Sequence, residues 1–378
     1  MTQSWKPPQT ASSSKETYTE ESFRPLLNKL VQTPEYFTPD DLKKALNHLF
    51  TPDVLQPVQI GAFLSALHIH RVERRPESLA AAASVLREKA LKAAVQDTEN
   101  DFVVDIVGTG GDGYNLFNVS TTAGIVAAGA GARVIKHGSR ASTSSSGAAD
   151  LLEALDCLFV APTPGTPMPI PRVPFTFILA PHYHPELGYI TPYRKALPFR
   201  TMFNILGPLI NPANPRGMVL GVAEPEIGPT FAQSLRDGGV ERALVVCGYE
   251  KLDEISCAGP TYAWELKDGV VTELTLHPEL FGLDVHPLST VAGGSPQENA
   301  DTFKRLLNSG GNIPEDLTPV LHFVQLNAAA LLVVAGLASD FEEGAKMALE
   351  SITSGNAWKV LETFREAGRT ASAKVVKI

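Results

Sequence analysis

The sequence predicts an α/β protein: a small all-helical domain followed by a larger α/β domain with a central, mostly parallel sheet. Three observations carry this. The first hundred residues read as helices, with apolar residues at helical spacing. At Asp101 the period changes to a short β-branched run, DFVVDIV, that stops at glycine, as a buried parallel strand does. Beyond it, strand-like and helix-like segments alternate, the α/β rhythm.

In the helical part, Thr38 opens TPDDLKKALNHLF, a capping Thr with Asp41 three residues on. Pro57 to His70 starts on a proline suited to a first helical turn, and Ser78 to Ala94 is Ala-rich and free of breakers. In the second part, helices are expected over Val119 to Ala130, Ala148 to Leu155 and Thr230 to Asp237. Strands are expected over Ala132 to Ile135, Thr176 to Ala180, Met218 to Val222 and Arg242 to Cys247. Tyr262 to Leu276 alternates on both sides of Lys-Asp-Gly and reads as a β-hairpin. After about Gln297 the chain is helical, with one long apolar helix from Asp316 to Gly336.

The bulk numbers restrict the function. The chain has 378 residues, 44% hydrophobic and 19% charged, enough for a sizeable core. Residues 1–20 are polar and rich in Ser, Thr and Pro, and are expected to form a disordered tail without the features of a secretory or transit peptide. The longest apolar run, Ala328 to Ala338, is shorter than the roughly 18 residues of a membrane span and reads as a buried helix. Three cysteines (Cys157, Cys247, Cys257) without CxxC spacing are accounted for most simply by a reduced, cytoplasmic protein. A formal net charge of −9 argues against a nucleic-acid partner, whose phosphates need a basic face.

Gly108-Thr109-Gly110-Gly111-Asp112-Gly113 follows the first strand and literally matches GxGxxG. A dinucleotide site also needs an acid near the end of the second strand, about 20 residues on, to hold the ribose. Here that strand runs into Lys136 and His137, and no Asp or Glu occurs between Gly113 and Asp150. The dinucleotide reading fails on charge. The same gap holds Arg133, Lys136 and Arg140 among glycines and hydroxyls, which suits an anion. Asn118, Ser120 and Thr121 stand where the next helix starts and could cap it or bind phosphate or metal. A second loop, KHGSRASTSSSG (Lys136 to Gly147), begins at a strand end, where α/β proteins place ligand residues. With its lysine, arginine and serines it could supply the charge-assisted donors a diphosphate needs.

Four segments, GTGGDGYNLFNVST (Gly108 to Thr121), KHGSRASTSSSGAADLLEAL (Lys136 to Leu155), APHYHPELGYITPYRKALPFRTMFNILGPLINP (Ala180 to Pro212) and LDEIS (Leu252 to Ser256), together resemble the anthranilate phosphoribosyltransferases, in family order. The resemblance covers the chain from about residue 20 to its end. It implies transfer of phosphoribose from phosphoribosyl diphosphate to the amine of anthranilate in tryptophan biosynthesis. It also implies Mg2+, a homodimer paired through the helical domain, and hinge closure over a site between the domains. The implied boundaries are 21–98 with 187–213 for the helical domain, and 99–186 with 214–378 for the α/β domain.

The resemblance further implies site residues. Gly108, Thr109, Gly110, Gly111 and Asp112 would lie against the sugar diphosphate, with Asn118, Val119, Ser120 and Thr121 beside them. Lys136, His137, Gly138, Ser139, Arg140, Ala141, Ser142, Thr143 and Ser144 would form its second wall. Gly108, Ser139, His184 and Arg194 would face anthranilate, Arg194 gripping the carboxylate with its planar guanidinium. Ser120, Asp253 and Glu254 would hold the metal, hard oxygen ligands for a hard cation. No catalytic residue is assigned, because the amine attacks with its own lone pair and needs no strongly activated protein nucleophile.

The chain departs from the family pattern at several places. Ser139 replaces the asparagine of KHGN, Leu116 a usual threonine, Ser145 a common lysine and Ala148 a common serine; Leu187 stands where tyrosine is sometimes found. Ser139 is shorter, so its contact to the aromatic substrate could pass through water. A pyrimidine nucleoside phosphorylase, the nearest alternative, would show a KHSTGG-type loop and would not need the acid pair. A non-catalytic nucleic-acid-binding relative would show a basic surface and lost metal ligands.

Overall fold

The computed structural model describes residues 17–96, 101–141 and 144–375. Of the expected N-terminal tail, residues 1–16 lie outside the described residues, as do Ser142 and Thr143 of the second loop. The end of that tail is ordered: Thr19 caps the first helix, accepting from Ser22 N at 3.2 Å. A side-chain cap offsets donors that a helix start leaves unpaired, and that local chemistry outweighs the polar composition around it.

Four helices follow: α1 (Glu20–Gln32), α2 (Pro39–Leu49), α3 (Pro57–Ile69) and α4 (Pro76–Lys89). The expected capping box of α2 is present, with Asp41 N donating to Thr38 Oγ1 and Thr38 N to Asp41 Oδ2. Helix α4 ends at Lys89 rather than at Ala94. There Lys92 Nζ reaches back to the carbonyls of Arg87 and Glu88. The next residues form strand β1 (Ala93–Val95), which pairs in parallel with the distant β4 (Met168–Ile170). An Ala-rich run is compatible with helix, and tertiary pairing overrides that propensity.

The α/β part begins with β2 (Val103–Gly108), α5 (Val119–Gly129), β3 (Arg133–Gly138) and α6 (Ala148–Ala154). After β4 come β5 (Phe175–Leu179), α7 (Ala180–Tyr183), α8 (Pro185–Lys195), β6 (Gly217–Gly221), α9 (Gly228–Asp237) and β7 (Arg242–Gly248). The hairpin strands are β8 (Thr261–Lys267) and β9 (Val270–Leu276). Its turn places Asp268 and Gly269 at φ 50° and 75°, the two left-handed residues a tight hairpin needs. The chain closes with α10 (Pro296–Leu307), α11 (Thr318–Ala335), α12 (Phe341–Thr353) and α13 (Asn356–Val375).

Among the described residues the main sheet has the order β5-β3-β2-β6-β7-β8-β9; the first five strands are parallel and the hairpin antiparallel. The two faces bury different cores. One is covered by α5, α6 and α10–α13. Residues 315–335 there are long and apolar enough for a membrane span by length and composition, but 78% of that stretch is buried inside the protein, so it is a core helix. The opposite face continues without a break into the α1–α4 bundle: Met218, Leu220 and Val245 share a core with Phe23, Leu46 and Phe63. From β2 the chain moves to β3 and β5 on one side, while β6 leads to β7 on the other. The carboxyl ends of β2 and β6 therefore flank the topological switch point where open α/β sheets bind ligands.

Candidate active site

The carboxyl ends of β2, β3 and β7 and the segment around α8 enclose a cavity of about 610 Å3. It is lined by Gly108 to Asp112, Asn118, Val119, Ser120, Lys136 to Ala141, Ser144, His184, Arg194, Asp253 and Glu254. The described residues of the expected set, all but Thr121, thus meet in one place. Thr121 is buried inside α5 and is not among the lining residues, because a helix turns successive side chains away from one another. A second cavity of about 220 Å3, between Arg242, Glu265, Lys267 and Phe341, contains neither glycine loop.

The floor is electrostatic. Lys136, 2% exposed, donates from Nζ to the Ile106 carbonyl and to Ser120 Oγ at 3.3 Å. Burial pushes its ammonium below its ordinary range, against the pull of Asp105, Glu254 and Asp253. Gly110 N donates to Asp253 Oδ2 at 2.6 Å, joining the glycine loop to the loop after β7. Burial, then repulsion by Asp112 and a hydrogen bond with it, pushes the Asp253 carboxyl up to about 7. Burial, and next the charge of Asp253, raises Glu254, while Ser120 hydrogen-bonds its carboxylate. Three carboxylates share a water-poor site, and Lys136 and Arg200 are the cations acting on Asp253 and Glu254.

That surplus of negative charge and hard oxygen suits a divalent cation such as Mg2+. Among the described residues no three His, Cys, Asp or Glu are grouped to hold a metal by themselves. Mg2+ rarely needs such a cage, being held by one or two carboxylates together with substrate phosphates.

The other wall is aromatic and nitrogenous. His137 Nδ1 lies 3.2 Å from the Gly207 carbonyl and His184 Nδ1 lies 3.3 Å from Glu186 Oε1. The Gly207 carbonyl can only accept, so it assigns a proton to Nδ1 of His137, and the Nε2 atoms of both rings are buried without a protein partner. The rings meet edge to face at 5.3 Å. Arg194 is half-buried, which lowers its guanidinium from the ordinary range, and Nη1 donates to the Phe203 carbonyl at 3.2 Å.

The chain matches the family model for a glycosyl transferase family α/β domain over residues 100–358, and the helical bundle domain of that family over residues 24–90. It is 44% identical over 309 residues to an anthranilate phosphoribosyltransferase of Schizosaccharomyces pombe, covering 82% of this chain and 86% of that one. One from Stenotrophomonas maltophilia is 38% identical over 354 residues, covering 93% and 100%. The chain belongs to the anthranilate phosphoribosyltransferase family. It is therefore a glycosyltransferase by family. A Saccharomyces cerevisiae anthranilate phosphoribosyltransferase, solved in complex with PRPP and Mg, superposes with a TM-score of 0.84 at 33% identity, over 93% of this chain and 99% of that one. An anthranilate phosphoribosyltransferase from Thermus thermophilus gives 0.80 at 36% identity, over 91% and 99%.

Within this phosphoribosyltransferase frame several residues do more than their types foretold, or something else. Asn118 starts α5 but makes no side-chain cap. Its amide donates to the Ser146 carbonyl at 2.8 Å, and its oxygen accepts from Ser146 Oγ and Asn299 Nδ2, so it ties the two anion loops to α10. Arg140 lines the cavity, yet its guanidinium is paired with Glu153 on α6. Asp150 closes the second loop, its Oδ2 accepting from Ala141 N and Gly147 N, each at 2.8 Å. Asp105, wholly buried in β2, accepts from Asn211 Nδ2 at 2.9 Å and from His137 N at 3.3 Å, and burial raises its carboxyl to about 6. All three cysteines are free and buried, and burial raises each thiol to about 12, which makes them inert.

Burial, then the neighbouring His184, drives His137 from 6.5 down to about 3. Its folded value is lowered, so between pH 6.5 and 3 the unfolded chain binds the proton that the folded chain refuses. Stability from this group is complete above 6.5 and is lost as pH falls through that window, by roughly 3–6 kcal/mol at the acid end. His137→Gln is expected to flatten the acid limb of a stability-versus-pH curve relative to the parent, measured by urea unfolding. Parallel curves for the two proteins would show that His137 does not carry the limb.

Proposed function

We propose that this protein transfers the phosphoribosyl group of 5-phospho-α-D-ribose 1-diphosphate to the amine of anthranilate. The products are diphosphate and N-(5-phosphoribosyl)anthranilate, in a step of tryptophan biosynthesis. The observation that carries this is the opposition, across one cavity, of an anion cradle with paired acids and a wall holding Arg194 and two histidines whose Nε2 atoms have no protein partner.

The sugar diphosphate lies along the glycine loop, with Lys136, Ser120 and the hydroxyls of the second loop donating to its phosphates. Asp253, Glu254 and Ser120 hold Mg2+, which when bound offsets negative charge on the departing diphosphate. Arg194 takes the anthranilate carboxylate in a bidentate pair, which fixes the ring. The amine faces the unpartnered Nε2 of His137, whose acceptance of N–H orients the nitrogen toward the anomeric carbon, with the His184 ring beside it. The N–C1 bond forms as the C1–O bond to diphosphate breaks, and the proton the nitrogen then sheds passes to water. Positioning and charge stabilisation supply the rate, with no protein nucleophile.

The buried free thiols support a reducing compartment, the cytoplasm. The helical domain exposes Val31, Tyr36, Val58 and Ile69, at least half of each in contact with solvent, which supports pairing of two copies there.

The deciding experiment mixes protein, phosphoribosyl diphosphate, Mg2+ and anthranilate and follows loss of anthranilate fluorescence. Turnover is expected. Activity on thymidine or uridine plus phosphate, with none on anthranilate, would sink the proposal. Arg194→Ala is expected to raise the anthranilate KM by about 30- to 100-fold, the worth of a lost charged pair, and to leave the sugar-diphosphate KM within about threefold. Equal rises would remove Arg194 from the aromatic wall.

A further inference from the structure

The loop Gly110-Gly111 has two successive left-handed residues, φ 67° and 81°, and Gly110 N donates to Asp253 Oδ2. Such a loop has little intrinsic rigidity, because glycine has the widest choice of backbone conformations. Something outside it must hold it. Arg200 is in the right place. Its Nη2 donates to the Thr109 carbonyl at 3.2 Å, and its guanidinium lies where a side chain of residue 111 would be, Nη1 being 1.9 Å from the position a Cβ would take. The plane of Arg200 therefore fills the space Gly111 leaves open.

Arg200 is itself fixed from the helical domain. Phe199 before it stacks on His68 of α3, ring centroids 4.4 Å apart, and His68 is paired with Glu73 at 2.8 Å. Thr201 after it is held by Asn204, whose Oδ1 accepts from Thr201 N at 2.9 Å. The side chain leaves a rigid stretch of the helical domain and ends on the glycine loop of the α/β domain. It is not among the residues lining the cavity; it touches that loop, and its charge also acts on Asp253 beneath it.

We propose that Arg200 is a positioning residue that holds the glycine loop in its diphosphate-binding shape. This rests on the function proposed above and assigns Arg200 to the sugar-diphosphate half of the reaction, as distinct from the carboxylate-binding Arg194 six residues earlier. A flat guanidinium is required, since it must donate in its plane to Thr109 while lying flat on Gly111. An ammonium can do only the first.

The test uses the full chain with Arg200→Met and Arg200→Lys. Binding of phosphoribosyl diphosphate with Mg2+ is measured by calorimetry without anthranilate, and both KM values by turnover. Arg200→Met is expected to weaken sugar-diphosphate binding about 10- to 100-fold, the loss of one hydrogen bond from a charged donor, with the anthranilate KM within about twofold. Arg200→Lys is expected to recover part of that loss. Equal rises in both KM values would overturn the proposal, as would unchanged calorimetric affinity with only a lowered melting temperature. If Arg200→Met does not fold, Arg200→Lys decides alone, and parity with the parent overturns the proposal. A parent that binds the sugar diphosphate but does not turn over anthranilate would sink the functional reading instead, and calorimetry would still judge Arg200.

Discussion

Asp253→Asn and Glu254→Gln are each expected to lower kcat/KM by about 1,000-fold, which is about 4 kcal/mol of transition-state stabilisation, while leaving the ligand-free protein as stable as the parent or more so. The reason lies in the charge balance of the floor. Asp253 is raised to about 7 by burial and by Asp112, and Glu254 is raised by burial and by Asp253. Each folded value lies above the unfolded one, so the folded state holds protons that the unfolded chain releases. Stability from Asp253 therefore declines as pH rises from 3.8 to about 7, and at neutral pH the ionised acids oppose folding. A neutral amide removes that cost and still offers Gly110 N an acceptor oxygen. It also removes the anionic ligand for the cation. Melting curves with and without Mg2+ and phosphoribosyl diphosphate check both halves. The parent is expected to gain stability from the ligands by mass action and the variants to gain much less. A variant that loses activity only because its ligand-free fold collapses would contradict this account.

Gly221→Ala is expected to cost at least about 3 kcal/mol of stability and nearly all activity, although residue 221 has no side chain to lose. A Cβ there would lie 1.6 Å from the Asp253 carbonyl oxygen and 2.4 Å from its carbonyl carbon. Those are backbone atoms, so neither a rotamer change nor a flexible tip relieves the clash. Either the end of β6 or the loop carrying Asp253 must move, and overpacking of this kind is costly. Gly124→Ala is the control. Its nearest neighbours would be side-chain carbons of Ile106 and Phe175 at 3.4 Å, and alanine is the better helix former. Urea unfolding of the two variants should differ sharply, with Gly124→Ala within about 1 kcal/mol of the parent. Similar losses in both would show that the approach of the Asp253 backbone to β6 is not what requires glycine.

Most of the architecture was legible because it is written in local chemistry. The α2 capping box, the strand that stops at Gly108 and the Asp268-Gly269 turn each depend on residues within a few positions. The meeting of the glycine loop with Lys136 was legible because both lie at strand ends of one sheet. The missing parts depend on partners far along the chain. Asp105 passed as part of the strand DFVVDIV, because its partner Asn211 is 106 residues away. Arg200 is one of several basic residues after α8, and nothing local distinguishes the one that reaches Thr109, 91 residues earlier. Strand β1 was read as helix because Ala93 and Ala94 favour helix until Met168 and Pro169 lie beside them. Asn118 carries the residue type of a cap and is instead a knot between Ser146 and Asn299.

The unbroken core that runs from the sheet into the helices has a consequence for how this protein can be divided. Residues 24–90 match the helical bundle domain of the family, yet the core of α1–α4 is continuous with that of α8, α9 and the sheet. Cutting the chain after residue 90 would part α4 from α9 and α3 from α8, and so uncover apolar residues of α9 such as Phe231. The two matched domains are parts of one family and share one seam of buried side chains, so each half separately is expected to be less stable than the whole.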